Sequence, residues 1–117
     1  MIVLPLPPSV NELFVEAPKG AYRGRAPSPQ YVRWKDAAGK ALEAQEWPEV
    51  SPPYAVCISV NINHRGDIDN RIKAVLDLLV KHKVITGDQW INALFVRRDR
   101  TIDGCTVHIE NESGVAL

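Results

Sequence analysis

The fold of this chain is decided by residues 54–63, YAVCISVNIN, in which large apolar side chains alternate with small or polar ones. Side chains of a β-strand point to opposite faces in turn, so this period of two indicates a strand that buries one face. The face predicted to be buried carries Tyr54, Val56, Ile58, Val60 and Ile62. We therefore predict a strand over residues 54–63 with the core on one side.

An acidic segment with a lysine follows this strand. Residues 65–73, RGDIDNRIK, place Asp67 and Asp69 two positions apart and Lys73 four positions beyond Asp69. If the segment is extended, both carboxylates point the same way, and a helix that begins near residue 70 sets the lysine ammonium over its acidic end. Two close carboxylates favour a bound cation. Acids, a metal and a lysine together suit phosphodiester chemistry.

Two amphipathic segments are predicted to be helices. Apolar residues after the acidic segment share one face of a helix over residues 70–83. Basic residues at its C-terminal end interact favourably with the negative end of the helix dipole. An earlier helix over residues 29–46 has Ser28 as its N-cap and Pro29 at its first position.

Short strands complete the predicted sheet. Residues 1–6 suit an edge strand that ends at prolines, and residues 7–28 form a basic, poorly patterned loop. Residues 90–98 and 105–110 are strand candidates that we expect to form a closing hairpin, with loose residues from Asn111 onward. The predicted fold class is α/β (α+β), a small mixed four-stranded sheet with two main helices in the order β-α-β-α-β-β.

Composition limits the class of protein. At 117 residues and 13.0 kDa the chain is expected to be a single domain over residues 1–117. Its 14 lysines and arginines equal its 14 acids, so the total charge does not indicate a nucleic-acid binder. Cys57 and Cys105 are too far apart for a zinc site and are expected to be reduced. With no leader or apolar span, the protein is expected to be soluble, cytoplasmic and free of membrane contact.

The two aspartates have other interpretations. A solvated turn with Asp69 as a helix N-cap explains them without chemistry. An EF-hand is excluded because Ile72 stands where that loop requires glycine, and a phosphatase-type nucleophilic aspartate lacks its downstream lysine and acids. The sequence has no phosphate-binding glycine loop, so no nucleotide cofactor is expected.

The pattern Asp-x-Asp-Asn-x-x-Lys, followed by an apolar helix and then Asp88, resembles the RusA-type Holliday junction resolvases. The opening LPLPPSVN at residues 4–11 is similar to that family's first strand and proline turn. The basic stretch at residues 23–33 is similar to its loop into the first helix. The resemblance covers roughly residues 2–110 of the chain.

This resemblance implies a Mg²⁺-dependent endodeoxyribonuclease, and carboxylate oxygens are ligands that suit Mn²⁺ as well as Mg²⁺. Its substrate is the four-way DNA junction of recombination and repair, which a homodimer cleaves by paired symmetric nicks. Matched position by position, Asp67, Asp69 and Asp88 are the essential acids and metal ligands, and Lys73 is the active-site lysine. The alternatives are a less selective Mg²⁺ nuclease acting on branched or flap DNA and a catalytically silent DNA-binding module.

Positive charge for the DNA phosphates must come from dispersed residues. The candidates singled out are Arg23, Arg25, Arg65 and Arg71, and the loop over residues 18–27 is expected to grip the junction arms. The wider pool comprises Lys19, Arg33, Lys35, Lys40, Arg97, Arg98 and Arg100.

Two departures from the family pattern concern DNA selectivity. His64-Arg65-Gly66 stands where a family member has a run of arginines before the first aspartate, and Gly87 stands where it has a further acid. The resemblance therefore implies the chemistry more firmly than the preference for junctions.

Chain length raises a geometric problem for Asp88. A helix over residues 70–83 is about 21 Å long, and residues 84–87 reach about 14 Å when extended, too little to return to the start of the helix. We hypothesise that Asp88 is supplied across a dimer interface to Asp67 and Asp69 of the partner subunit, or that the helix is shorter than its pattern indicates.

Overall fold

The computed structural model describes residues 1–16 and 25–112. Its helices are α1 (Pro29–Glu43) and α2 (Ile72–Lys81), and short 3-10 helices lie at Val10–Glu12, Ile68–Arg71 and Asp88–Trp90. Its strands are β1 (Ile2–Leu4), β2 (Phe14–Glu16), β3 (Arg25–Pro27), β4 (Tyr54–Val60), β5 (Ile91–Arg98) and β6 (Cys105–Asn111). No helix among these described residues is long and apolar enough to span a membrane.

A four-stranded mixed sheet in the order β1-β6-β4-β5 forms the centre of the fold. β4 lies between β6, which is antiparallel to it, and β5, which is parallel to it. Side chains along β4 alternate between buried and half-buried, and Tyr54, Val56 and Ile58 are at most 1% exposed. The predicted fold class and the predicted buried face are confirmed, although the strand ends at Val60 rather than at residue 63.

β5 and β6 do not form the predicted hairpin. Each of them pairs with β4 instead. Residues 99–104 cross the end of β4, where the Asp99 amide donates to Val60 O at 3.0 Å and the Asn61 amide donates to Gly104 O at 2.9 Å. The prediction was wrong because it rests on the tendency of neighbouring strands in sequence to pair. Here α2 returns the chain so that β5 runs parallel to β4, and β6 pairs with the other side of β4.

The first helix, α1, begins where the sequence predicts. Ser28 Oγ accepts a hydrogen bond from the Tyr31 amide at 3.0 Å, which satisfies one of the free amides at the helix start. The helix ends at Glu43, three residues earlier than predicted. Just beyond it, Gln45 turns to β1, where its side-chain amide donates to Val3 O at 2.7 Å and accepts from Val3 N at 2.8 Å. α1 and its C-terminal turn therefore cover the outer edge of β1.

The second helix, α2, is also shorter than predicted. It covers Ile72–Lys81 instead of residues 70–83, because the first predicted turn is a separate 3-10 helix, Ile68–Arg71. Val75 and Leu79 are fully buried in the same apolar core as β4. The predicted apolar stripe is confirmed at Ile72, Val75 and Leu79, whereas Ala74 and Leu78 are buried in place of Leu76 and Val80. The acidic segment before the helix has a conformation of its own.

Residues 7–28, predicted as an irregular loop, contain a second small sheet. β2 pairs antiparallel with β3, with Val15 opposite Ala26. The Phe14 ring meets the Tyr31 ring edge-on, at 5.9 Å between centroids, and this contact joins β2 to α1. Residues 17–24, which include most of the predicted DNA-gripping loop, lie outside the described residues.

β6 extends further than predicted. Asn111, expected to be loose, pairs with Tyr54 of β4, and its Nδ2 donates to Ser51 O at 2.7 Å. Cys105 at the start of β6 is fully buried, and burial raises the pKa of its thiol to about 12. Cys57 and Cys105 are not bonded to each other in the structure.

β5 forms the edge of the sheet opposite β1. Among the described residues no strand pairs with its outer side. Leu94 and Phe95 in the middle of β5 are 44% and 62% exposed, and Trp90 just before it is 50% exposed. This edge of the sheet is therefore both open and apolar.

Gly104 is required by the path of the chain across the end of β4. Its φ is +64°, and an added Cβ would lie 2.4 Å from Leu4 O and 3.1 Å from Leu6 N. Gly104→Ala is expected to lower the free energy of unfolding by about 2–4 kcal/mol, since left-handed strain and a clash with backbone add together. Urea unfolding measures this change. Gly66→Ala is the control, because its nearest neighbour, Ile62 Cδ1, lies 3.8 Å away, and equal losses in both variants would contradict the explanation.

Candidate active site

The turn between β4 and α2 is held in place by the end of β5. Arg98, the last residue of β5, donates from Nη1 to Asn63 O at 2.7 Å and to Gly66 O. Asn63 Oδ1 accepts from the Arg65 amide at 3.0 Å. These bonds close the turn and so fix the position of the backbone that leads into Asp67.

Asp67 and Asp69 lie at a 3-10 turn rather than in the predicted extended segment. Asp67 has an extended backbone, with φ −74° and ψ 134°, and directly precedes the 3-10 helix Ile68–Arg71, which contains Asp69. Both side chains are exposed. Over residues 1–16 and 25–112, neither carboxylate has a hydrogen-bond or ion-pair partner.

The capping interpretation of these acids fails. Asp67 makes no side-chain capping bond to the 3-10 helix, and Arg71, not Asp69, stands at the N-cap of α2. The two acids therefore have no evident role in stabilising the helix start.

Lys73 lies in the first turn of α2, and its side chain is 54% exposed. Its ammonium pairs with Asp77 Oδ2 at 3.5 Å, one turn further along the helix, and not with Asp69. An exposed pair of this kind stabilises a helix by about 0.3–0.5 kcal/mol. Lys73 can therefore exchange this partner for another anion at little cost.

Asp88 lies apart from the other two acids. It opens the 3-10 helix at the start of β5 and lines a shallow hollow with Leu76 and Leu94. Asp67, in contrast, follows the turn that is bonded to the last residue of β5. The strand has eight residues, so its two ends are about 23 Å apart. Among the described residues no three acidic, histidine or cysteine side chains are grouped to hold a metal ion.

The second predicted alternative, a helix shorter than its pattern indicates, is confirmed, and chain length is not the reason for the separation. α2 has ten residues and is about 15 Å long. The segment between its end and Asp88 is therefore long enough to reach back to the start of the helix. The direction of β5 separates the acids instead, because Asp88 precedes the start of this strand and the turn before Asp67 is bonded to its end.

The predicted DNA-binding arginines are only partly described. Arg65 is exposed in the turn before Asp67. Arg71 is half-buried and donates from Nη1 to Pro7 O at 2.7 Å, which ties the 3-10 turn to the N-terminal segment. Arg23 lies outside the described residues, and of Arg25 only the backbone in β3 is described.

Sequence reasoning missed two residues that position the acids. Arg98 was assigned to the phosphate-binding pool, yet its guanidinium binds backbone carbonyls of the turn before Asp67. The Tyr54 hydroxyl accepts a hydrogen bond from the Thr86 amide at 3.1 Å and so fixes the segment before Asp88. These contacts join residues that are 32 to 35 positions apart, and local patterns carry no signal for such pairs.

The family model described as Endodeoxyribonuclease RusA matches residues 5–110 of the chain. The chain belongs to the RusA endodeoxyribonuclease family. No curated protein matches it significantly. The resemblance based on the aspartate motif is thereby confirmed, and RusA-family membership implies a hydrolase that resolves Holliday junction DNA.

RusA-family nucleases depend in general on a divalent metal ion. The exposed carboxylates of Asp67 and Asp69 suit such an ion, because Mg²⁺ in phosphoryl-transfer sites is commonly held by one or two carboxylates together with substrate phosphate and water. One protomer thus offers two of the three predicted acids at this position.

Proposed function

We propose that the protein is a Mg²⁺-dependent endodeoxyribonuclease that cleaves four-way DNA junctions by paired symmetric nicks and acts as a homodimer. A single domain over residues 1–117 carries this activity, and Mn²⁺ replaces Mg²⁺. The main support is the pair of exposed carboxylates, Asp67 and Asp69, which have no partner among the described residues. Lys73 lies in the next turn of the chain.

The proposed roles follow from the chemistry of these side chains. Asp67 and Asp69 hold the metal in one protomer, and Asp88 of the partner subunit completes the set. The bound ion supplies a Lewis acid that polarises the scissile phosphate and the attacking water. Lys73 leaves its weak pair with Asp77 and balances the negative charge that grows on the phosphate.

The direction of β5 supports a site shared between two protomers. If two β5 strands pair antiparallel around a two-fold axis near Leu94 and Phe95, the start of each strand lies beside the end of the other. Asp88 of one protomer then approaches the turn of the partner that carries Asp67. The same pairing covers the exposed apolar side chains of this edge.

Mixing two inactive variants tests the shared site. A protomer with Asp67→Asn and a protomer with Asp88→Asn are each expected to be inactive alone. In a mixed dimer, one site then receives both wild-type contributions, so about a quarter of the wild-type nicking should return after random subunit exchange. The returned activity should nick one strand of the junction without paired resolution, and denaturing gels of a labelled junction measure both.

The matched control mixes Asp67→Asn with Asp69→Asn protomers. Both changes affect the same contribution, so this mixture should stay inactive whichever arrangement is correct. Sites built within one chain would leave both mixtures inactive, and that result would overturn the shared site.

A less selective nuclease on branched or flap DNA is the second candidate. Arg65 stands in the turn where a family member has a run of arginines, which favours weaker junction preference. Competition of unlabelled linear duplex against a labelled junction separates the two functions, because a junction enzyme should be displaced only by a large excess of duplex. Absence of cleavage on every DNA would instead indicate a silent DNA-binding module.

A further inference from the structure

A polar notch lies directly beside the proposed metal-binding aspartates. Its volume is ≈ 290 Å³, near the lower end of the range for small-ligand sites. Gly66, which precedes Asp67, forms part of its wall, and Asn61 and Asn63 form another part. A group bound in the notch is therefore next to the site of cleavage.

In the described part of the chain, the charged side chains that line this notch are two arginines. Arg71 and Arg100 both contribute to its wall, and no acidic side chain is among the described residues that line it. A guanidinium group has five N–H donors in a planar fork that matches phosphate oxygens. The bond from Arg71 Nη1 to Pro7 O orients that side chain and leaves further donors on the same group.

The backbone that carries Arg100 is fixed from both sides. Asp99 bonds through its amide to Val60 O at 3.0 Å, and its Oδ1 accepts from the Thr101 amide at 2.9 Å. Asn61 Nδ2 donates to Ile102 O at 2.7 Å. Arg100 therefore projects from a turn whose backbone is held by hydrogen bonds, so that binding through its exposed side chain costs side-chain entropy and little further backbone entropy.

We propose that this notch, bounded by Asn61, Asn63, Arg71 and Arg100, binds a backbone phosphate of the junction strand next to the phosphodiester that is cleaved. The inference rests on the proposed function and adds to it a residue, Arg100, that positions the substrate. Phosphate contacts of this kind fix the register of a protein on DNA without reading its sequence. The notch thus sets which phosphodiester lies over Asp67 and Asp69.

Binding measured without cleavage tests the role of Arg100. In an Asp69→Asn background, Arg100→Gln should weaken binding to a synthetic four-way junction about five- to tenfold at about 0.1 M salt and lower the salt slope by about one. Lys81→Gln is the matched control. It removes one exposed positive charge at the C-terminal end of α2, whereas Arg71 lies at the N-terminal end. The junction affinity of this variant should stay within about twofold of that of the background protein.

Neutral phosphates identify the bound group. A junction that carries a single methylphosphonate next to the cleaved bond should bind more weakly to the background protein at one position. Arg100→Gln should not be further weakened by that same substitution, since both changes remove one contact. Inorganic phosphate in the millimolar range should not displace the junction, because the bound phosphate belongs to the DNA.

The outcomes separate this inference from the proposed function. Unchanged affinity and salt slope in Arg100→Gln, with junction binding intact in the background protein, would overturn the notch as a phosphate site. Additive losses from Arg100→Gln and every methylphosphonate would do the same. If the wild-type protein binds junctions through Arg100 but never cleaves them with Mg²⁺ or Mn²⁺, the proposed nuclease function is refuted and the notch remains a phosphate-binding site.

Discussion

Asp69→Asn is expected to reduce metal-dependent cleavage of a four-way junction by at least about 1,000-fold. The change replaces an anionic oxygen by a neutral amide at a side chain that is exposed and has no partner among the described residues. For the same reason, the free energy of unfolding should stay within about 0.5 kcal/mol of the wild type. Single-turnover cleavage of a labelled junction at saturating protein measures the loss.

The matched control for this prediction is Asp36→Asn. Asp36 is also an exposed carboxylate, but it lies on α1 and pairs with Lys40 at 3.1 Å. Its loss should leave cleavage nearly unchanged. Junction binding without divalent metal should survive in both variants, and an Asp69→Asn protein that still cleaves at the wild-type rate would refute the metal-binding role.

Lys73→Ala is expected to lower the cleavage rate at saturating protein by about 100-fold or more, with junction affinity changed only a few-fold. The ammonium is proposed to act on charge that develops during the reaction, so its loss should affect the rate and not the binding. Circular dichroism and urea unfolding should show a folded protein, because the exposed pair with Asp77 contributes so little to stability.

Asp77→Asn distinguishes this catalytic role from a structural one. It breaks the same ion pair from the other side while it keeps the Lys73 ammonium. If the pair matters only for helix stability, the two variants should behave alike. If Lys73 acts on the phosphate, Asp77→Asn should cleave at nearly the wild-type rate, and a comparable loss in both variants would argue against catalysis by the lysine.

Local patterns predicted the parts of the fold that local geometry determines. The period of two around Val56 and Ile58 assigned the buried face of β4, and the Ser28 hydroxyl marked the start of α1 to the residue. Pairing between strands is not local, so the sequence did not distinguish a β5–β6 hairpin from two strands that both pair with β4.

The same distinction applies to the candidate site. Asp67, Asp69 and Lys73 are neighbours in the chain, so their spacing alone indicated a shared function. The 3-10 helix that follows Asp67 and contains Asp69 was missed because an extended segment and a tight turn both keep two carboxylates close. The notch at Arg100 forms only when residues 99–104 cross the end of β4, and no sequence period reports that contact.

The Gln45 side chain has a consequence for assembly. Its amide occupies the N–H and C=O of Val3 that another strand would need in order to add to β1. Among the described residues, β5 is therefore the edge of the four-stranded sheet that stays open to pairing with another strand. If sheets associate through one open edge, assembly stops at the dimer, whereas two open edges would permit filaments. Gln45, although far from the aspartates, thus favours a closed dimer over an open filament.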